Sequence, residues 1–272
     1  MNVSEVLARL TEQANLSLVI FTMGLLLCRI MPVIVLSPFL GGEVVPTEIK
    51  MGIGTILSFV LLPAVSSRMG ALPTTALPYI GLLLKEIFIG VALATIVNVV
   101  FEAARVAGNI SDTMSGSNNA QLFVPQLGQQ VTLFSNLKVQ LAVVLFLTLN
   151  GHHLVIEALA ESLSVVPLDR FPRFSEGQWP FFELFIRAFA DLLKISLALS
   201  APTLLASFLT DMALGAINRV APQVQVFFIS MSIKPLVTVI IVTLSLSLIM
   251  GRMQVEFAAM LAMLRHAVRL LG

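Results

Sequence analysis

The sequence predicts an all-α, multi-pass integral membrane protein made of kinked helical hairpins. Three observations carry that expectation. Of 272 residues, 57% are hydrophobic and only 11% are charged, less than half the roughly 25% of a soluble domain. Mean hydropathy is +0.97. Apolar runs recur along the chain, several close to the roughly 20 residues that a spanning helix needs. A water-soluble globule of this size could not cover itself with so few charges. The 13 Pro, 16 Gly and single Cys exclude fibrous, disordered and disulfide-rich classes.

The runs fall at 15–40, 49–65, 78–101, 131–149, 180–209 and 222–250. Pro32, Pro38, Pro63, Pro202, Pro222 and Pro235 lie within or beside them. Each removes a backbone donor and bends its helix. Met1 to Ala14 has no basic leader region and no small-residue cleavage site follows, so the first run is expected to be retained. Turn-rich joints separate the runs at Gly41–Pro46, Ser66–Pro78 and Asp169–Pro180, the last being the most polar. Gly108 to Gln130 is longer, rich in Gly, Ser, Asn and Gln, and carries Asp112 as its only ionisable residue. This composition fits two readings: an exposed connector, or a loop packed in polar protein surroundings or lining a water-filled lumen. From Met250 the pattern is amphipathic, and Arg265, His266 and Arg269 near its end favour a helix C-terminus on the cytoplasmic side.

Charges interrupt the apolar runs. Arg29 lies in the first, Lys85 and Glu86 in the third, Lys138 in the fourth, and Arg219 and Lys234 in the sixth region. Glu183, Arg187 and Asp191 in the fifth are spaced i, i+4, i+8, which stacks alternating signs on one helix face. Each central charge costs about 2.5–3.5 kcal/mol on insertion scales. Either they line a substrate pathway or proton relay, as in a secondary transporter, or the segments pack on protein and the charges pair there. The self-paired ladder fits packing better.

The net charge of +1 offers no basic stripe for nucleic acid. No GxSxG, HExxH, phosphate-loop or dinucleotide-binding motif is present, so no catalytic residue and no cofactor is expected and the chain reads as a non-enzyme. His152-His153 is the one cluster of catalytic type. Adjacent helical residues point about 100° apart and cannot face one metal as an i, i+4 pair does, so no metal site is expected. The pair reads instead as the joint between two apolar helices.

Three motifs carry a resemblance. Gly215-Ala216-Ile217-Asn218-Arg219-Val220-Ala221-Pro222-Gln223-Val224-Gln225-Val226-Phe227 resembles the LGxxNRxAPQxxxF signature of the FliR/SctT family, export-apparatus proteins of flagella and of virulence type III secretion systems. Phe101-Glu102-Ala103-Ala104-Arg105-Val106-Ala107-Gly108 is similar to the family's FxAxRxAG, and Leu149-Asn150-Gly151-His152-His153 with Ser162 and Pro167 is similar to its NGH…S…P stretch. Order, spacing and length agree over nearly the whole chain. Two departures occur. Met114-Ser115, with Gly116 following, stands where the family has Met-Gly, and Val124 replaces the Asp of its Asp-Pro before Pro125. Ser230-Met231-Ser232-Ile233-Lys234 is closer to the injectisome branch than to the flagellar one.

The resemblance implies one export-apparatus domain over residues 1–272, with a FliP-like part at 1–179 and a FliQ-like hairpin plus amphipathic helix at 180–272. It implies assembly with SctR/FliP-type and SctS/FliQ-type pore subunits and a SctU/FlhB-type switch protein, in the bacterial inner membrane at the base of the secretion machine. Helices of the assembly rise largely out of the membrane plane, and the passenger is an unfolded polypeptide. A loop plugs the channel: Gly108, Asp112, Met114, Ser115, Gly116, Ser117, Asn118, Asn119 and Pro125 are the matching residues. Asn218, Arg219, Pro222, Gln223, Phe227 and Lys234, with Glu183, Arg187 and Asp191, are the expected assembly and packing residues. Arg219 is expected to be paired or hydrogen-bonded at a bend set by Pro222. The alternative from the charges, a self-contained secondary transporter, predicts a monomer or homodimer with a small-molecule flux.

Overall fold

A computed structural model describes residues 16–40, 42, 45–66, 76–116, 132–174 and 177–272. Among these residues the chain is helical throughout, with no strand. The helices are α1 Leu16–Leu36, α2 Thr47–Ser66, α3 Ala76–Ser115, α4 Leu133–Thr148, α5 Gly151–Val165, α6 Gln178–Val220, α7 Val226–Leu244 and α8 Leu246–Leu270, with a 3-10 turn at Pro38–Leu40. Five stretches are long and apolar enough to cross a membrane: Leu18–Leu36, Leu77–Ser115, Gln178–Val220, Val226–Leu244 and Leu246–Leu270. The pair α4 and α5 passes the same test as one broken span. The chain is thus an all-helical, multi-pass membrane protein.

Several run boundaries move. The third run, expected to end near 101, continues as helix to Ser115, so Gly108 to Ser115 are helical and not part of a loop. The reason is local. Ser111 Oγ donates to the Ala107 carbonyl at 2.9 Å and Thr113 Oγ1 to that of Asn109 at 2.8 Å, so these polar side chains are satisfied one turn back inside the helix. Gly116 ends it with φ of 72° and an N–H bond to the Thr113 carbonyl, a left-handed stop that glycine adopts freely. The fifth run, expected to end near 209, likewise continues as helix through Pro202 to Val220. At 40 and 43 residues, α3 and α6 measure about 60 and 65 Å, twice the ~30 Å of a hydrocarbon core. The sixth run is divided at Ser245, where the helical hydrogen-bond pattern nonetheless continues from the Ile241 carbonyl through Ser245 to the Ile249 N–H.

The fold divides into two compact units. The first comprises residues 1–98, 152–185 and 261–272. In it α1 buries Leu25, Leu26, Ile30, Val33 and Ile34 on one face, a helical stripe that also contains Arg29. Leu25 and Leu26 pack with Val65, Leu82, Leu163 and Leu168. The second comprises residues 99–151 and 186–260. Its centre is a ring trio, Phe101, Phe146 and Phe257, with centroids 5.1–5.3 Å apart. A Cβ at Gly151 would fall within the Phe146 ring, and Asn150 takes a positive φ of 56°, a conformation Asn tolerates better than most residues. These two positions make the joint between α4 and α5, as the Asn-Gly-His-His string predicts.

Candidate functional site

The first unit holds a cluster built on α1 and α3. At Gly90, α3 approaches so closely that a Cβ there would collide with the Arg29 carbonyl. Glu86, one turn earlier on α3, is thereby brought opposite Arg29. Both are fully buried. Arg29 Nε and Nη2 donate to the two Glu86 carboxylate oxygens, the second at 2.9 Å. Lys85 Nζ lies 2.5 Å from Glu86 Oε1.

The remaining donors of both cations point at the C-terminal end of α5. Arg29 Nη1 donates to the Ser162 carbonyl and Nη2 to that of Val166, each at 2.9 Å. Lys85 donates to the carbonyls of Pro167, Leu168 and Arg170 at 3.1, 3.1 and 2.9 Å. The Ser162 and Pro167 carbonyls also accept the Val166 and Arg170 N–H groups at 2.9 and 3.3 Å, so the cations add to a helix end that carries partial negative charge. Two buried cations here serve as its cap, and Glu86 offsets their charge.

The second unit contains the mirror arrangement at the start of α4. A Cβ at Gly108 of α3 would strike the Ser135 backbone, so the two helices touch main chain to main chain. Asp112, one turn on and 1% exposed, accepts from the Phe134 and Ser135 N–H groups, both at 3.0 Å. An anion therefore sits on the positive end of α4. Lys138 of α4, fully buried, donates to the Ala107 carbonyl at 3.1 Å, to Ser111 Oγ at 2.8 Å and to the Leu199 carbonyl at 3.3 Å, joining α3, α4 and α6. Ser111 Oγ and Thr203 Oγ1 are 2.9 Å apart, and Ser207 Oγ donates to the Met114 carbonyl at 3.0 Å.

Of the plug residues expected from sequence, Gly108, Asp112, Met114 and Ser115 thus form the last turns of α3, and Gly116 its stop. Ser117, Asn118, Asn119 and Pro125 lie outside the described residues. Asn218 and Arg219 are exposed in the last turn of α6. Arg219 makes no ion pair among the described residues. Pro222 and Gln223 occupy the turn, and Phe227, the second residue of α7, is 62% exposed. Lys234 pairs with Asp211 at 2.6 Å. Asp211 lies nine residues before the end of α6 and Lys234 eight after the start of α7, about 12–14 Å along each helix, so α6 and α7 form an antiparallel hairpin closed by this pair. Glu183, Arg187 and Asp191 all lie on α6, and Asp191 pairs with Lys194 at 3.1 Å. Arg29, Lys85, Glu86 and Lys138 were not among the expected site residues, although the signal was present in the sequence: charges inside apolar runs.

Residues 20–260 match the family described as bacterial export proteins, family 1. The chain belongs to this FliR/SctT family. It is 26% identical over 251 residues to the flagellar biosynthetic protein FliR of Bacillus subtilis, covering 91% of this chain and 95% of that one. It is 31% identical over 247 residues to the Yop proteins translocation protein T of Yersinia pestis, covering 90% and 91%. The secretion system apparatus protein SsaT of Salmonella typhimurium is 29% identical over 61% of this chain and 63% of its own. The FliR/SctT motifs fall on the geometry above. Gly108 closes the α3–α4 contact, Gly151 admits the Phe146 ring, and Ser162 and Pro167 supply carbonyls to the buried cations.

Proposed function

We propose that the chain is a structural and gating subunit of a type III secretion export pore in the bacterial inner membrane. The family match across residues 20–260 carries this reading. It assembles with SctR/FliP-type and SctS/FliQ-type subunits and a SctU/FlhB-type switch protein, passes unfolded polypeptide, and performs no chemistry of its own. Its C-terminus faces the cytoplasm. The string from Ser230 to Lys234 favours the injectisome branch over the flagellar one. Two physical features support a packing role. Helices α3 and α6 are twice the length a bilayer needs. The buried charges are engaged on backbone carbonyls and N–H groups and on one another, where they hold structure, in contrast to the exchangeable, poised groups of a proton relay.

The plug reading takes in Gly108 to Pro125, of which Gly108 to Ser115 form the end of α3. Deleting residues 117–120 should leave assembly intact and raise the conductance of the idle complex in planar bilayers. Native mass spectrometry of the detergent-extracted complex tests the whole reading. Co-purification with two small hydrophobic partners is expected. A lone monomer or homodimer with a measurable small-molecule flux would replace it with the secondary transporter.

A further inference from the structure

We propose that Asp112 is a positioning residue that clamps both ends of the 116–132 connection into one stem and so fixes where that connection leaves the helices. This deepens the plug reading and depends on it only for the conductance measurement below. The departing end is α3, which stops at Gly116, four residues after Asp112. The returning end is α4, whose second and third residues, Phe134 and Ser135, donate their N–H groups to the two Asp112 oxygens. The same carboxylate therefore holds chain that leaves and chain that returns. Around it the contact has little freedom. Gly108 meets the Ser135 backbone, Ser115 Oγ donates to the Asp112 carbonyl at 2.9 Å, and Ser135 Oγ to the Arg105 carbonyl at 3.2 Å. Lys138 draws α4 onto the Ala107 and Leu199 carbonyls, and Ser207 ties the end of α3 to α6 through Met114.

A purely stabilising N-cap would make the same two bonds, so the test must read position as well as stability. Ser117→Cys is placed just beyond the stem in a Cys28→Ala background, in the assembled complex, and labelled with a bulky maleimide. Ser164→Cys, exposed near the end of α5, serves as the control site. Asp112→Asn keeps the shape but offers one acceptor oxygen in place of two and removes the charge near Lys138. Loss of a charge-assisted bond should raise labelling at position 117 about tenfold, with complex yield and labelling at position 164 unchanged. If Asp112→Asn does not assemble, Asp112→Asn with Lys138→Met, which leaves no buried charge unmatched, provides the same measurement. Unchanged labelling at position 117 in intact complex overturns the clamp. Loss of complex in both variants also overturns it, because Asp112 is then a folding requirement alone. Faster labelling without added idle conductance supports the clamp and removes the plug reading. Faster labelling with added conductance, matched by the 117–120 deletion, supports both.

Discussion

Replacing Glu86 by Gln preserves the side-chain volume and one oxygen and removes a single negative charge. In the folded protein Glu86 is fully buried between Arg29 and Lys85. Without it, two buried cations face each other across carbonyl oxygens and one amide. Removing one partner of a buried ion pair costs about 3–5 kcal/mol, because the other charge is left without compensation. That is a large fraction of a typical 5–15 kcal/mol stability. It corresponds to a fall in Tm on the order of 10 °C for a chain of this length. The same helix supplies a control. Glu102 pairs with Arg105 at 3.4 Å with both side chains more than a third exposed, and such pairs contribute about 0–1 kcal/mol. Glu102→Gln should therefore shift Tm by a few degrees at most. Thermal loss of the helical circular-dichroism signal, in nanodiscs of one lipid composition, compares the two. Equal shifts for Glu86→Gln and Glu102→Gln would refute the argument that burial makes this charge indispensable.

Gly108→Ala should destabilise by about 1–3 kcal/mol through overpacking, because its Cβ has nowhere to go against Ser135. Gly52→Ala in α2, where nothing lies within 4 Å, should stabilise by about 0.5–1 kcal/mol; the same thermal assay reads both. Arg219→Ala should leave Tm within about 2 °C of the parent, as exposed substitutions change stability by about 0.5 kcal/mol or less, while lowering the yield of assembled complex on native gels. Lys234→Glu should weaken the α6–α7 hairpin by up to about 1 kcal/mol, and adding Asp211→Lys should restore it, since the pair is partly exposed. A double-mutant cycle of thermal stability checks the coupling.

Much of the fold was legible because hydrophobic runs and proline-marked joints are local signals. The Asn150-Gly151 joint, the α6–α7 turn at Pro222 and the multi-pass class all follow from neighbouring residues. The end of α3 did not. Gly, Asn, Ser and Thr after residue 107 read as loop because composition registers polarity, whereas Ser111 and Thr113 spend their hydroxyls on carbonyls of their own helix. The buried charges were visible as anomalies, but their partners were not. Arg29 reaches carbonyls 133 and 137 residues away, and a backbone acceptor leaves no mark in the side-chain sequence. Helical spacing places Glu183, Arg187 and Asp191 on one face of α6, and Asp191 also engages Lys194, three residues on.

The caps on the broken span also impose a timetable on synthesis. Arg29, Lys85, Glu86 and Asp112 all precede residue 133, so the groups that hold α4 and α5 leave the ribosome before either helix does. The pair α4–α5 therefore enters a membrane where its anchors already wait. Arg29 has no such provision. Its carboxylate partner is made 57 residues later, which at 5–20 residues per second is a delay of roughly 3–11 seconds. For that interval α1 holds an arginine with no counter-charge at a cost of about 2.5–3.5 kcal/mol on the insertion scale. Eleven of the fourteen residues from Leu16 to Arg29 are apolar, the exceptions being Ser17, Thr22 and Arg29, so the nascent helix stays inserted until α3 arrives.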